Sequence, residues 1–333
     1  MNNELKNFEQ ACRQIESGRC LVITSDESFL SRLPKGNWIG ATTPYAMSLD
    51  GGECTDQKAY IQELPPVIKS SRVKVYQTGD ISSVYADAYP SGFSVILIPA
   101  FTDMHVKFAN EVPTYKGFGQ TVLMGWISGT KLDVLGKQPA RVFDGSSGKS
   151  YSDAAVVMHF QLPDSKYADM GIINIFEPTV DGDVLSFEEE GLSPSKVLVN
   201  GKPELFADYI ERKNVNIKWP MVSDYHGAGV NVSFLSVDNA TKEVKLVGPV
   251  FRGLEYRLAK PMADYGAYLE AFRRQVSMKG NDEMALTCNC IFNYLYGELE
   301  GKRLDELNGP FVFGEIAYQL LNQTLVYVSI HDR

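Results

Sequence analysis

The chain has 333 residues, of which 44% are hydrophobic and 22% are charged, a composition typical of globular rather than disordered proteins. Its formal net charge of -9 makes nucleic acid an unfavourable partner, because an acidic surface repels phosphate groups. The apolar runs are far shorter than the ~20 residues of a membrane helix, and the polar N-terminus lacks the apolar core of a signal peptide. With five scattered cysteines, the sequence predicts a cytoplasmic protein with neither a membrane nor a nucleic-acid partner.

The first half of the chain combines one helical segment with several short apolar strands. Apolar side chains recur at helical spacing over residues 4–18. Five strand-like runs follow, namely CLVITS (20–25), WIGATT (38–43), VKVYQT (73–78), SVILIPA (94–100) and TVLMGWIS (121–128). Further strands after residue 140 are separated by polar turns, which implies antiparallel pairing. The pattern therefore predicts an α/β protein of the α+β type, with largely antiparallel or mixed sheets flanked by helices.

The length of the chain predicts two domains, because single cores stop growing beyond ~250–300 residues. A charged segment that continues into Gly, Ser and Pro at residues 188–196 is the candidate boundary. The predicted domains are therefore residues 1–190 and 191–333. The second half includes a predicted helix at 264–278 and closes with two strands around a polar bend.

One segment partly matches a phosphate-binding loop. Residues 143–150 end in Gly-Lys-Ser, but Phe143 stands where that motif requires its first glycine. A β-rich run follows instead of the helix whose N-terminus would receive a phosphate. A hairpin turn is therefore the favoured interpretation.

Two cysteines near the C-terminus, Cys288 and Cys290, are spaced to point to one face of a strand. A zinc site would need two more ligands, and the neighbouring sequence supplies neither a histidine nor a second cysteine pair. Two buried cysteines are therefore expected, and no metal site is predicted.

The histidines give little support for catalysis. His159 alternates with apolar residues and is expected to be a hydrogen-bonded sheet residue. His226 lies in a glycine-bearing loop beside Asp224, so a hydrolase-like enzyme with a dispersed site around these two residues or Cys290 is one alternative. The Gly-x-Ser-x-Gly pattern of serine hydrolases is absent, and a binding protein is favoured over an enzyme. The four histidines are His105, His159, His226 and His331.

The most informative segment is the C-terminal stretch 284–328. A predicted strand ends at Cys290 and a predicted helix follows. An aromatic-rich strand then leads to Gly-Glu-Ile at 314–316, and the final strand opens with Asn-Gln-Thr at 322–324. Two upstream runs accompany this stretch, LPKGNWIGATTP (33–44) and VLVNGKPELFADYI (197–210).

In this order, these segments resemble FIST proteins, a family of bacterial and eukaryotic sensory input domains. The resemblance implies a FIST N-like domain at 1–190 and a FIST C-like domain at 191–333. It also implies a sensory protein that binds an amino acid or related metabolite between or beside the domains and signals to a separate output protein. Some family members bind haem, so a haem-binding sensor with a histidine ligand is an alternative to a protein without a cofactor.

The resemblance also implies which residues bind the ligand. The family usually places an arginine shortly after the cysteine, whereas Ile291, Phe292 and Asn293 follow Cys290 here. An arginine there would suit an anionic ligand group. The implied ligand-binding residues are Gly40, Thr42, Thr43, Cys290, Asn293, Gly314, Glu315, Asn322 and Thr324.

The closing strands carry polar residues in apolar surroundings. Glu315 follows Phe313 and Gly314 and needs a partner if it is buried. Asn322 and Thr324 can donate and accept hydrogen bonds. These side chains either tie the bend between two strands or meet a ligand at the edge of a hollow, and a ligand-free interaction scaffold is a further alternative.

Overall fold

The computed structural model describes residues 4–225, 228–262, 265–278, 284–303 and 308–333. The helices are α1 (Phe8–Glu16), α2 (Glu27–Leu30), α3 (Asp103–Glu111), α4 (Phe206–Arg212), α5 (Tyr265–Met278) and α6 (Ile291–Tyr296). Among the described residues, no helix is both long enough and apolar enough to cross a membrane.

Strands make up most of the regular structure. Those of the first half are β1 (Glu4–Lys6), β2 (Leu21–Ser25), β3 (Trp38–Thr42), β4 (Tyr45–Ser48), β5 (Gly51–Cys54), β6 (Ala59–Glu63), β7 (Ser70–Tyr76), β8 (Gly92–Pro99), β9 (Val122–Ser128), β10 (Val142–Asp144), β11 (Lys149–Tyr151), β12 (Ala155–Gln161) and β13 (Lys166–Ile173). Those of the second half are β14 (Leu185–Ser186), β15 (Lys196–Val199), β16 (Lys202–Leu205), β17 (Met221–Tyr225), β18 (Ala228–Val232), β19 (Phe234–Asp238), β20 (Glu243–Leu246), β21 (Tyr256–Leu258), β22 (Met284–Cys290), β23 (Gly309–Val312), β24 (Glu315–Ala317), β25 (Gln319–Leu321) and β26 (Leu325–Asp332).

The strands form four six-stranded sheets and one hairpin. The sheet orders are β1-β6-β2-β3-β10-β11, β25-β24-β9-β8-β12-β7, β13-β26-β22-β23-β4-β5 and β16-β15-β14-β21-β17-β18, with β19-β20 as the hairpin. Most pairs are antiparallel, and the predicted α+β class with antiparallel and mixed sheets is confirmed. The predicted hairpin at 143–150 is also confirmed, since β10 and β11 pair across it.

Three parallel pairs each enclose a helix, as β2-α2-β3, β8-α3-β9 and β22-α6-β23. The sequence analysis did not predict α3. Thr102 caps this helix by accepting a hydrogen bond from the His105 N–H at 3.2 Å, while Met104 and Phe108 are buried one turn apart. Each of these units brings the carboxyl end of a strand to the start of a helix.

The sheets do not divide at residue 190. The second and third sheets combine strands of the first half with β22 to β26, so the C-terminal strands complete sheets that begin near the N-terminus. Residues 185–258, called the second region below, form the fourth sheet and the hairpin around their own core of Phe187, Phe206, Tyr209 and Tyr256. The rest of the chain is called the main body.

Candidate functional site

The candidate site is a cavity of about 240 Å³ between the main body and the second region. It lies beyond the carboxyl ends of β8 and β22, where the chain turns into α3 and α6. Crevices at the carboxyl ends of parallel strands are the usual ligand sites of open α/β sheets.

The main body supplies a mostly apolar wall. Phe313 follows β23 and donates its N–H to the Ile127 carbonyl of β9 at 3.1 Å. Gly129 lets the ring of Phe313 lie against the backbone after β9, because any Cβ at Gly129 would overlap that ring. The main-body residues of the cavity wall are Ala100, Phe101, His105 and Val106 after β8, Leu132 and Leu135 after β9, Cys290, Ile291, Phe292 and Leu295 around α6, and Phe313.

The second region closes the opposite side. The β19-β20 hairpin contributes Leu235, Lys245 and Leu246, and Leu192 and Ser193 precede β15 of the fourth sheet. The Lys245 ammonium lies 3.3 Å from the Glu243 carboxylate, so its charge is already paired. Among the described residues of the wall, none carries a carboxylate. This described part of the wall is therefore suited to an apolar molecule.

Large apolar side chains are exposed at the cavity. Phe101 is 56% exposed, Val106 40% and Leu235 36%, and all three belong to the cavity wall. Apolar side chains gathered in this way are typical of ligand or protein interaction sites.

Phe101 also has an unfavourable backbone conformation. Its φ of 59° is in the left-handed region, which a bulky residue rarely adopts. Such conformations cost about 1–3 kcal/mol and cluster at ligand sites. The turn lets the Phe101 N–H donate to the His105 Nδ1 at 3.3 Å.

His105 is the buried polar side chain of the cavity wall. It lies in the first turn of α3 and is 3% exposed. Burial lowers its pKa to about 4, so the imidazole is neutral at pH 7. Because Nδ1 accepts from Phe101, the proton of the neutral ring is assigned to Nε2. Nε2 has no hydrogen-bond partner within the described part of the chain.

Cys290, Glu315 and Thr324, called the closing cluster below, lie behind the cavity wall. The Glu315 Oε1 accepts from the Thr324 N–H and from the Thr324 hydroxyl, both at 2.7 Å. Glu315 is fully buried, and burial raises its pKa to about 8 despite those bonds and a favourable contact with the Cys290 thiol. Its Oε2 lacks a conventional partner among the residues described. Of these three residues, only Cys290 reaches the cavity.

The other two predicted residues of the closing strands, Asn322 and Gly314, are internal. Asn322 contacts the second region. Its backbone carbonyl accepts from the Asn231 side-chain amide at 3.0 Å, and its side-chain Oδ1 accepts from the Ser233 N–H at 3.4 Å. Gly314 lies in the bend before Glu315 and donates no side chain. The closing strands therefore bring Glu315 and Thr324 together but place Asn322 at a different contact.

The remaining predicted residues are also structural in their contacts. Asn293 donates to the Asn289 Oδ1 at 2.6 Å within the turn from β22 to α6. The Thr42 hydroxyl accepts from the Arg141 N–H at 2.8 Å, and the Thr43 N–H donates to the Ser25 carbonyl at 2.9 Å. Gly40 lies inside β3, close to the Trp38 ring. None of these four residues belongs to the cavity wall.

The other two described histidines, His159 and His331, lie outside the cavity wall. His159 is confirmed as a hydrogen-bonded sheet residue, because Ser94 lies 2.7 Å from its Nδ1 and Tyr76 lies 2.9 Å from its Nε2. The His331 Nε2 lies 2.7 Å from the Ser329 hydroxyl. His226, which belongs to the enzyme hypothesis, lies outside the described residues.

Cys290 does not have the environment of a reactive cysteine. Burial first, and the nearby Glu315 charge second, raise its pKa well above the usual range. A thiol is nucleophilic as the thiolate, so a raised pKa disfavours that role. Cys288 is buried as expected, with its thiol 3.7 Å from the Gly125 carbonyl.

The sequence analysis missed the main cavity residues of the β8–α3 turn, Phe101 and His105. A signal was present, since Thr102 is a good N-cap residue and Met104 and Phe108 have helical spacing. A strand, a capped helix and a second strand in this order predict a parallel pair, whose carboxyl end is the place to look for a ligand.

A family model described as "Family of unknown function (DUF6976)" matches residues 6–331. No curated protein matches the chain.

Proposed function

The chain belongs to this family of unknown function, and from the geometry of the cavity we propose that it binds a small, mostly apolar molecule. The observation that carries the proposal is one space of about 240 Å³, walled by apolar side chains from two parts of the fold, with Phe101, Val106 and Leu235 exposed beside it. Ligand sites are typically concave and mainly apolar, with a few polar groups that fix orientation.

The proposal keeps the sensory role that the FIST resemblance implies but changes the class of ligand. A free amino acid carries an ammonium group, which needs a carboxylate or several acceptors when it leaves water. The described residues of the cavity wall include no carboxylate, and Glu315 lies behind Cys290 with Oε1 already bonded to Thr324. A neutral, apolar group suits this wall better, with the signal passing to a separate protein.

Walls from two regions suggest how binding would be transmitted. Leu235, Lys245 and Leu246 belong to the β19-β20 hairpin, whereas Cys290 and Phe292 belong to the main body. A ligand held between them would stabilise one arrangement of the hairpin relative to α6, as any ligand favours the state that it binds better.

Thermal unfolding with ethylbenzene, indole and octan-1-ol tests the proposal. A ligand at 100 times its Kd should stabilise the folded chain by about 2.7 kcal/mol, which is seen as a rise in Tm. Leu132→Trp should abolish the rise because the larger side chain fills the cavity. Leu49→Trp is the matched control, since Leu49 is 54% exposed and lies outside the cavity wall.

Two results would contradict a ligand function for this cavity. In one, the folded wild-type chain shows no rise in Tm with any of the three probes. In the other, Leu132→Trp keeps the full rise that Leu49→Trp shows, which would mean that the probes bind elsewhere.

A further inference from the structure

A second cavity adjoins the candidate site and has a more polar wall. It holds about 290 Å³ and shares Ala100, Phe101 and Leu135 with the cavity described above, which is called the apolar cavity in this subsection. The second space, called the side cavity, lies beyond the carboxyl ends of β8 and β9. The polar side chains of its described wall are those of Thr102, Thr130, Lys137 and Gln138.

The loop that follows β9 contributes to both walls. It supplies Leu132 and Leu135 to the apolar cavity and Lys137 and Gln138 to the side cavity. Its turn is held by the Val134 carbonyl, which accepts from the backbone N–H groups of Lys137 at 2.9 Å and Gln138 at 3.1 Å. A molecule that contacts the whole loop therefore needs an apolar part and a polar part.

Lys137 provides an unpaired positive charge at the side cavity. Its side chain is exposed, and its ammonium forms no ion pair with any residue in the described part of the chain. By contrast, the neighbouring Lys131 lies 2.6 Å from the Asp56 carboxylate. The lysine of the apolar wall, Lys245, lies 3.3 Å from the Glu243 carboxylate. Of these three lysines, Lys137 alone has its charge available to a ligand.

The carboxylates near Lys137 are either paired or outside the walls. Glu27 accepts from the Gln138 side-chain amide at 3.3 Å, but it is itself paired with Arg141 at 2.6 Å. Asp103 and Asp133 adjoin wall residues in the sequence, yet both are exposed and lie outside the described walls of the two cavities. The described wall of the side cavity thus carries a net positive charge, which attracts an anionic group.

We infer that the ligand is an amphipathic carboxylate, an alkyl or aryl acid whose apolar part occupies the apolar cavity and whose carboxylate pairs with Lys137 at the side cavity. This inference rests on the proposed function, since it assigns the ligand class of the same site. Because Lys137 is exposed, the carboxylate keeps part of its hydration and avoids the cost of burial among apolar side chains. Phe101, which belongs to both walls, contacts the ligand where its two parts join.

Three ligands with the same eight-carbon chain test the inference by titration calorimetry at pH 7 and low ionic strength. Octanoate is anionic, octan-1-ol is neutral and octylammonium is cationic. The wild type should bind octanoate more tightly than octylammonium. Lys137→Met keeps most of the side-chain length but removes the charge, so it should weaken octanoate binding about fivefold, the effect of one solvent-exposed ion pair, and leave octan-1-ol binding unchanged.

Lys149→Met is the matched control, because Lys149 is exposed, lies in the β10-β11 hairpin and belongs to neither wall. It removes the same charge from the protein and should keep the wild-type affinities. Added salt should reduce the octanoate affinity of the wild type more than that of Lys137→Met, because salt screens an exposed ion pair. Leu132→Trp fills the apolar cavity and should abolish the binding of both octanoate and octan-1-ol.

The outcomes separate the two proposals. If Lys137→Met and Lys149→Met bind octanoate equally, or if Leu132→Trp loses octan-1-ol but keeps octanoate, the carboxylate inference is wrong while the binding function stands. If neither octanoate nor octan-1-ol binds the folded wild type, the binding function itself is overturned.

Discussion

Cys290 lies between two buried regions that differ in the number of polar groups they contain and in whether they adjoin an open space. Behind it, in the closing cluster, Glu315 receives two hydrogen bonds from Thr324 and is fully enclosed. In front of it, the cavity has apolar walls and one imidazole nitrogen without a partner among the described residues. Each region leaves one buried polar atom without a partner among the described residues, the Glu315 Oε2 and the His105 Nε2, but only the second region adjoins an open space.

The comparison shows why a polar residue in an apolar stretch is a poor guide to ligand binding. Glu315 lies between Gly314 and Ile316 and looked like a ligand residue, yet its partners are the backbone and hydroxyl of Thr324. His105 stood in no recognised motif, yet it reaches the cavity. Hydrogen bonds within the chain indicate a role in stability, whereas a place in the wall of an open cavity indicates a role in binding.

The largest expected effect belongs to Glu315→Gln. Because the folded-state pKa is raised to about 8 from a usual 4.5, the folded chain holds a proton that the unfolded chain has lost. Wild-type stability from this group is present below pH 4.5 and falls by about 4 kcal/mol as the pH rises to 8. The glutamine side chain of the variant cannot ionise, so the Tm of the variant minus that of the wild type should increase steadily from pH 4.5 to 8.

Comparing variant with wild type at each pH removes the contributions of all other groups. The thiols near Glu315, Cys288 and Cys290, have pKa values raised well above their usual range, so they stay protonated in this interval. Thr324→Val provides a second check, since loss of the hydroxyl donor should raise the Glu315 pKa further, so that the loss of stability continues to a higher pH than in the wild type. A Tm difference that does not change with pH would show that Glu315 ionises normally.

A smaller difference in stability is expected between substitutions of the two buried histidines, His159 and His105. Both have a pKa lowered to about 4, chiefly by burial, but His159 has partners at both nitrogens and His105 at one. His159→Phe should lower the free energy of unfolding by about 2 kcal/mol, because the buried Ser94 hydroxyl loses its partner and the Tyr76 hydroxyl keeps only its bond to Asp87. His105→Phe should cost about 1 kcal/mol, because only the Phe101 N–H loses its acceptor.

Denaturant titration of both variants measures the two losses of stability. Equal stability losses would contradict the distinction between a histidine with two partners and one with a free nitrogen.

Local patterns in the sequence predicted much of the local structure. The runs at 20–25, 94–100 and 121–128 are strands because consecutive residues of each run are buried on both faces of a sheet, and β2, β8 and β9 lie there. The helix at 264–278 is also present as α5. Pairing between β9 and β24 could not be predicted, because hydrophobic periodicity carries no information about which distant strand lies alongside.

The position of the cavity could not be predicted from the sequence for a related reason. Its wall combines residues as far apart as Ala100 and Phe313, and no single segment has a recognisable motif. The start of α3 could not be predicted at Phe101, because phenylalanine rarely adopts the left-handed backbone conformation that it has here. Glycine or asparagine at this position would have indicated the turn.

The smallest change in stability, and the sharpest division between stability and binding, is expected for Phe101→Gly. Glycine removes a left-handed conformation that costs about 1–2 kcal/mol for other residues, which offsets its own backbone entropy and the partial burial of the lost ring. We expect the free energy of unfolding to change by less than about 1 kcal/mol. Ethylbenzene affinity should nevertheless fall, since the ring belongs to the cavity wall.

Glu298→Gly is the matched control because Glu298 has a φ of 49° and lies on the surface, outside the cavity wall. This substitution relieves the same kind of backbone strain, so the free energy of unfolding of the variant should change about as little. The affinity of the variant for ethylbenzene should equal that of the wild type. Titration calorimetry measures the ethylbenzene affinity of both variants. If Phe101→Gly binds as tightly as Glu298→Gly, the strained turn serves the protein in some way other than through contact of its ring with the ligand.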